Sequence, residues 1–384
     1  MIDFDYCSPE VAVENWKECL IYGAGNRGRE VLAVLRRKGV RVVGFLDSGG
    51  KAGSAVDGVP VLEPRELPPL SRDLPVVIAV FSYPVAGETA RIVGDLLPLG
   101  YRKLIDFETF FQACREEFRD SCFWLEHPDY FRKHRDEITR AAALFEEEDS
   151  RKLFEAQINH RLGQPYTVLP PISGGVHYFP GELCGRRKSF SFVDIGAFTG
   201  DTLVDMEKAG ITPGKVWAFE PDLENFRKLV EQTRRLNWPE CEFTLFPIGV
   251  GEKVGSVSFC ADGSMGSAFG EGGDGMVPVA ALDELLHGVP VDYVKMDVEG
   301  SEESCLLGMR EIIRVYRPVL AVCLYHRPSD IFRLPLLIAG WNQNYRFLLR
   351  TYYAHCMETV LYAIPGELPV NKNFGEKNGA GNRS

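Results

Sequence analysis

Positive charge is in short supply in this chain: 43 Lys and Arg stand against 54 Asp and Glu, a formal net charge of −11 over 384 residues. Nucleic acid and anionic membrane surfaces are held by clustered basic side chains, so the balance excludes both as the main partner. The two basic runs, Arg132-Lys133-His134-Arg135 and Arg186-Arg187-Lys188, read as solvated surface. Long apolar runs are also missing. None approaches the ~20 residues that cross a bilayer, and the longest, such as Leu74–Phe81, have the length of buried strands. No membrane span is expected. The start, Met1-Ile2-Asp3-Phe4-Asp5, lacks the basic and apolar regions of a secretory signal, which predicts a cytoplasmic protein. The ten cysteines form no C-x-x-C pair, so neither a zinc ribbon nor a thioredoxin-like motif is signalled. Several sit in apolar runs, as a small hydrophobe would. No repeat at a solenoid period is visible.

What is present is alternation of strand and helix signals in two separate stretches, and the length favours two domains. In the first, Leu20–Tyr22 reads as a buried strand, Glu30–Lys38 as a helix and Val40–Leu46 as a second strand. Val76–Phe81 and Glu88–Leu97 follow as strand and helix. From Phe107 the character becomes helical, with patterns at Phe110–Phe123 and Arg140–Leu153. Strands return at Phe190–Ile195, Lys215–Phe219, Glu242–Phe246, Asp292–Met296 and Val319–Leu324, with a terminal pair at Arg346–Tyr352 and Thr359–Ile364. The fold class expected is α/β, with two Rossmann-like domains joined by a helical connector. The expected bounds are 1–106, 107–175 and 176–366, with a polar, disordered tail at 367–384.

The strongest chemical signal is Phe192-Val193-Asp194-Ile195-Gly196-Ala197-Phe198-Thr199-Gly200-Asp201. An apolar strand ends in an acid and runs through two glycines into a helix. Glycines let backbone approach a ligand in a tight strand-to-helix turn, and the amides of that turn and of the helix start suit a carboxylate. Val216-Trp217-Ala218-Phe219-Glu220-Pro221 follows, with Glu220 twenty residues after Gly200, where a strand-end acid reads two ribose hydroxyls. A third segment, Val291 to Gly300, ends a strand at Asp297 and adds Glu299. Alternation predicts that Lys295 and Asp297 share a face. His326, after the strand Val319–Cys323, is a candidate general base because an imidazole titrates near neutral pH.

These residues resemble the FkbM family of methyltransferases. The resemblance rests on F-V-D-I-G-A-F-T-G, then F-E-P-D, then V-K-M-D-V-E-G-S-E with Leu306-Leu307-Gly308, and the ending Glu358-Thr359-Val360-Leu361-Tyr362-Ala363. It spans about residues 176 to 365. Tyr178-Phe179 and Tyr325-His326 look like a subgroup with a long N-terminal extension. The resemblance implies a class I methyltransferase fold and O-methylation of a sugar, glycan or related metabolite. Position by position, it implies that Asp194, Gly196, Ala197, Gly200 and Asp201 hold the methionine part of S-adenosylmethionine and that Glu220 holds the ribose. Asp297, Glu299, Lys295 and His326 would surround the reaction. Many members carry an acid where Cys323 stands, so that role is absent or shifted to His326. Segment 246–250 offers no polar group for the adenine. No dedicated metal-ligand spacing is seen; a divalent cation at Asp297 and Glu299 is an open alternative to a protein base. Acceptor contacts are expected from the connector, the Gly-rich insertion 263–275 and the loop after His326.

Gly23-Ala24-Gly25-Asn26-Arg27-Gly28 is a G-x-G-x-x-G turn between a strand and a helix, and Asp47 ends the next strand nineteen residues after Gly28. With Gly58-Val59-Pro60-Val61, this stretch resembles the small nucleotide-binding domain of sugar-modifying acyltransferases. Three readings stay open: a nucleotide or nucleotide-sugar site at Gly23, Gly25, Gly28 and Asp47; a module for packing or homodimer formation; or an NAD-dependent redox domain. The last lacks a Tyr-x-x-x-Lys or comparable set.

Overall fold

A computed structural model of the chain describes residues 1–6, 11–48, 52–80, 88–118, 125–180, 190–260, 268–269 and 275–368. The tail from 369, the basic run 186–188 and nearly all of the Gly-rich insertion 263–275 lie outside the described residues. The chain forms two compact units, each assembled from separated segments. Unit 1 contains Met1–His134, Ala156–Pro171 and Tyr353–Met357; unit 2 contains Arg135–Glu155, Ile172–Tyr352 and Glu358–Ser384. The helical stretch after Phe107 is therefore shared between the units. Its helices fall elsewhere than the pattern suggested: Phe107–Ala113 and Arg115–Phe118 in place of Phe110–Phe123, and Arg135–Ala142 and Glu148–Arg161 in place of Arg140–Leu153.

Unit 1 is built on six strands: β1 (Glu18–Tyr22), β2 (Arg41–Leu46), β3 (Ala55–Val56), β4 (Val59–Leu62), β5 (Val76–Ile78) and β6 (Leu104–Asp106). Their order is β3-β4-β2-β1-β5-β6, parallel except for the β3–β4 hairpin. Successive residues of β1 feed opposite faces. Cys19 and Ile21 join one core with Val31, Leu35, Phe107 and Phe110, while Leu20 and Tyr22 join the other with Ile78, Ile92 and Tyr101. Burial on both faces is why the strand reads as a continuous apolar run without alternation. Gly28 has a packing reason: a Cβ there would sit 2.1 Å from the Gly23 carbonyl oxygen.

Unit 2 holds seven strands of one sheet: β7 (Ser191–Ile195), β8 (Lys215–Phe219), β9 (Glu242–Phe246), β14 (Tyr293–Met296), β15 (Val319–Cys323), β16 (Tyr345–Thr351) and β17 (Thr359–Pro365). The order is β16-β17-β15-β14-β7-β8-β9, with five parallel strands closed by the antiparallel β16–β17 pair. A second sheet, unforeseen in the sequence, contains β10 (Gly249–Val250), β11 (Gly255–Cys260), β12 (Ala268–Phe269) and β13 (Gly275–Ala280), in the order β10-β13-β11-β12. The mixed α/β architecture, with parallel sheets in both halves, agrees with the fold class read from the sequence. The carboxyl ends of β7, β8, β14 and β15 lie side by side, and the Gly-rich bend, Glu220, Asp297 and His326 all follow those ends. No described helix is long and apolar enough to cross a membrane.

Candidate active site

The bend after β7 is set by backbone constraints. Gly196 lies at φ +78°, and a Cβ on it would stand 1.8 Å from the carbonyl oxygen of Asp297, so the bend and the end of β14 touch directly. Gly200 lies at φ +87° and caps the helix Asp201–Lys208. Left-handed backbone at both points is what glycine accommodates. Asp201 opens the helix, where a carboxylate suits the positive end of the dipole.

Much of the bend's hydrogen-bonding capacity is already committed. The amides of Gly196 and Ala197 both donate to the Phe219 carbonyl, Gly200 donates to Ala197, and Phe198 donates to Glu220 Oε2 at 2.8 Å. Of the turn and helix start read as a carboxylate site, the turn is therefore the more fully committed part. At the start of the helix, where no carbonyl four residues back is available within the helix, the Asp201 carboxylate takes the amides of Asp201 and Thr202. Glu220 is 6% exposed; its Oε1 accepts from the Asp222 amide at 2.8 Å. Burial pushes it up to about 7 despite those two amides. The Phe198 contact ties it to the Gly-rich bend.

Asp194 and Lys295 are cross-strand neighbours in the β7–β14 register. Both are buried and paired at 3.2 Å, and Lys295 Nζ also donates to the Gly196 carbonyl at 2.6 Å. Burial lifts Asp194 to about 6 against the pull of the ammonium, and beyond that ammonium neither of its oxygens takes a hydrogen bond. Lys295 is held charged: burial opposes its charge, but Asp194, Asp297 and Asp201 outweigh it. Lys295 thus contacts Asp194 and the bend directly and acts on Asp297 through its charge.

Asp297, Glu299 and His326 do meet. His326 is 1% exposed, and its Nε2 lies 3.4 Å from Asp297 Oδ1 and 3.4 Å from Glu299 Oε2. Its Nδ1 is 2.6 Å from Oε1 of the equally buried Glu302, which also accepts from the Val298 amide. Burial opposes a charged imidazole, but Glu302, Asp297 and Glu299 more than offset it and lift His326 to about 10. A group so readily protonated is a poor general base at neutral pH. Burial raises Glu299 to about 7, and this residue is held at φ +51°. Such left-handed non-glycine positions are costly, about 1–3 kcal/mol, and cluster at sites.

Two phenols that motif spacing could not place flank Asp297. Tyr178, at φ +64°, donates to Asp297 Oδ2 at 2.8 Å, and its ring lies 5.3 Å below the Lys295 ammonium. Tyr325 reaches Asp297 Oδ1 at 3.4 Å and donates to Glu358 Oε1 at 3.0 Å. Burial drives both phenols well above their usual range, so they remain donors. Burial keeps Asp297 from ionising less effectively than Lys295, His326 and Tyr178 promote it, and the net shift is downward. Cys323 is fully buried with its thiol 3.5 Å from the Tyr178 hydroxyl, so it fills space where an acid was awaited.

In unit 1 the Gly-rich turn has Gly23 at φ +103°, with Gly25 capping the helix Asn26–Arg37 and Gly28 packed inside it. Arg27 pairs with Glu30 and its guanidinium lies 4.8 Å over the Phe107 ring. Asp47 follows β2 and is partly exposed, its amide bonded to the Leu62 carbonyl.

Comparison with known proteins places this geometry. Residues 194–347 match the family model described as the methyltransferase FkbM domain. The solved structure of methyltransferase FkbM from Methylobacillus flagellatus KT is similar at a TM-score of 0.75 and 22% identity, over 91% of this chain and 90% of that one. That likeness shows a shared fold. An rRNA methylase from Streptococcus thermophilus is similar at a TM-score of 0.30 and 14% identity, over 46% of this chain and 87% of that one. Fibrillarin from Aeropyrum pernix, solved with natively bound S-adenosyl-L-methionine, is similar at 0.29 and 12%, over 46% and 66%. No curated protein sequence matches. The strand ends that gather Asp194, Glu220, Asp297 and His326 thus lie within the stretch that matches the methyltransferase FkbM domain.

Proposed function

We propose that this chain is an S-adenosylmethionine-dependent O-methyltransferase, acting on a hydroxyl of a sugar, glycan or related metabolite. The observation that carries the reading is the junction of Glu220 with the Gly-rich bend through the Phe198 amide, on adjacent parallel strand ends. The residues fit the donor. Beyond the Lys295 ammonium the buried oxygens of Asp194 take no hydrogen bond, Glu220 keeps lone pairs for ribose hydroxyls, and the start of Asp201–Lys208 suits a carboxylate. The donor supplies an electrophilic methyl group on a sulfonium.

The protein's share is alignment and charge. Lys295 fixes Asp194 and the Gly196 carbonyl, so the bend is rigid on the side facing β14. Tyr178 and Tyr325 orient Asp297. Holding the acceptor oxygen in line with the methyl carbon supplies most of the rate, and the acidic group around Asp297 relieves the hydroxyl of its proton. His326, already protonated, holds that group together.

Unit 1 is read here as a packing module. Arg27 is engaged by Glu30 and Phe107, and the Gly23–Gly28 approach is explained by the helix packing on β1.

Isothermal titration of the full chain with S-adenosylhomocysteine tests the donor site. Micromolar binding is expected, weakened at least tenfold, roughly 1.4 kcal/mol, in Glu220→Ala. Absence of binding by the unaltered protein overturns the reading.

A further inference from the structure

The hydroxyl of Tyr325 stands between two carboxyl groups and has one proton to give. It lies 3.0 Å from Glu358 Oε1 and 3.4 Å from Asp297 Oδ1. A phenol donates a single hydrogen bond and can also accept, so it cannot be the donor to both at once. The chain from Asp297 to Glu358 is complete only when one carboxyl group is protonated and donates to the phenol oxygen.

The sheet builds this arrangement. β15 pairs antiparallel with β17, Leu320 opposite Ala363 and Cys323 opposite Val360. The Leu324 amide then donates to the Thr359 carbonyl at 2.8 Å, which carries the pairing past the end of β15 and sets Tyr325 opposite Glu358. Side chains directly opposite on an antiparallel pair are within reach of each other. On its other edge β15 runs parallel to β14 with Met296 beside Val322, and Asp297 is the next residue. Glu358 is held at φ +50°, after His355 and Cys356, which are left-handed too. Such non-glycine backbone is costly and persists where the surroundings over-determine it, often at functional positions.

The surroundings favour one proton over two charges. Lys295 is bound to Asp194 and the Gly196 carbonyl, and the nitrogens of His326 face Glu302, Asp297 and Glu299. His177 Nε2 lies 3.4 Å from Glu358 Oε2, but burial lowers that imidazole to about 4 and keeps it neutral. Burial also keeps the Tyr178 hydroxyl and the Cys323 thiol protonated. Burial and then the charge of Asp297 push Glu358 up to about 8, whereas Lys295 and His326 draw Asp297 down against its own burial. Two like groups joined in this way titrate as a pair, and one keeps its proton after the other has lost it.

We propose that Asp297 and Glu358 hold one proton between them through the Tyr325 hydroxyl, with Glu358 as the positioning residue that decides when Asp297 is free to accept. While Glu358 is protonated it donates to Tyr325, and Tyr325 donates to Asp297 and blunts it as a base. Once Glu358 is ionised the phenol turns to it and Asp297 Oδ1 is released. The role of this chain rests on the methyl-transfer reading. As the acceptor oxygen bonds to the methyl carbon, the sulfur keeps the electron pair of the bond that breaks and the hydroxyl proton passes to Asp297. That proton moves on to Tyr325 as the proton of Tyr325 moves to Glu358, which leaves one proton on Glu358.

The test needs neither donor nor acceptor, so it succeeds or fails independently of S-adenosylhomocysteine binding. Infrared spectra of the chelator-treated full chain, carrying ¹³C-labelled glutamate, follow protonated glutamic acid carbonyls as the pH rises. One such band should vanish with a midpoint of about 8, and Glu358→Gln should remove it. Asp297→Asn should lower that midpoint by about one unit, a tenfold change in proton affinity, because the charge opposing ionisation is gone. Tyr325→Phe should raise it, because the ionised form loses its donor. A merely structural role would not move the midpoint in these opposite directions. The unaltered protein alone overturns the proposal if no glutamic acid titrates near pH 8. So does a band that survives Glu358→Gln, or a midpoint unmoved by either Asp297→Asn or Tyr325→Phe.

Discussion

At the scale of single residues, Glu220 makes the clearest prediction. Burial lifts it from an ordinary 4.5 to about 7 in the folded chain. A raised carboxylate stabilises the fold below its unfolded value, and that contribution is lost as pH rises through about 7. Ribose hydroxyls donate to the ionised form, so donor affinity should move the opposite way. S-adenosylhomocysteine should bind roughly tenfold more weakly at pH 6 than at pH 8, because one unit below its pKa about a tenth of the group is ionised. Titration calorimetry across that range checks this, and Glu220→Gln should flatten the profile; a flat profile in the unaltered protein excludes Glu220 as the ribose acceptor. Sequence alone identified Glu220 and Asp297 because each stands at the end of an apolar run, a position that survives small errors in strand bounds.

At the scale of elements, the five parallel strands of unit 2 were legible to within a residue or two, since burial on both faces leaves unbroken runs such as Val319–Cys323, while the short strands Val59–Leu62 and Leu104–Asp106 of unit 1 were not. The β10–β13 sheet was not. Its strands carry Gly, Ser and Pro in place of a clear alternation, and two of them are two residues long. Nor did spacing reveal that five of the seven residues between β16 and β17, Tyr353–Met357, belong to unit 1. There His355 Nδ1 meets Glu108 Oε1 at 2.6 Å, both nearly buried. Burial would raise Glu108, but His355 and His160 bring it down to about 2. A lowered carboxylate contributes stability above its unfolded value and loses it as pH falls through about 2. Glu108→Gln should therefore cost about 1–3 kcal/mol at pH 7 and less at pH 3, where the unaltered protein has begun to lose the same contribution. Urea unfolding at both pH values measures the difference; an equal cost at both would detach the effect from ionisation.

At the scale of the whole molecule, the two units cannot be separated by one cut. A fragment beginning at Arg135 keeps 156–171 and 353–357, which belong to unit 1, and loses the rest of that unit. Buried residues such as Ile158, Leu162 and Cys356 would then lose their surroundings. The fragment 135–368 should melt below the full chain or aggregate, and differential scanning calorimetry checks this; an unchanged melting temperature would show that unit 2 stands without those segments' partners.

The sequence by itself determined the two α/β stretches, the Gly-rich bend and the strand-end acids, because local patterns of burial and backbone conformation are written in neighbouring residues. Which charges meet was decided only by the tertiary structure. Glu302 beside His326, Lys295 beside Asp194 and Tyr178 on Asp297 join residues 24, 101 and 119 positions apart along the chain. Pairings at such separations follow from sheet register and from where each strand stops, and short-range periodicity carries no record of either.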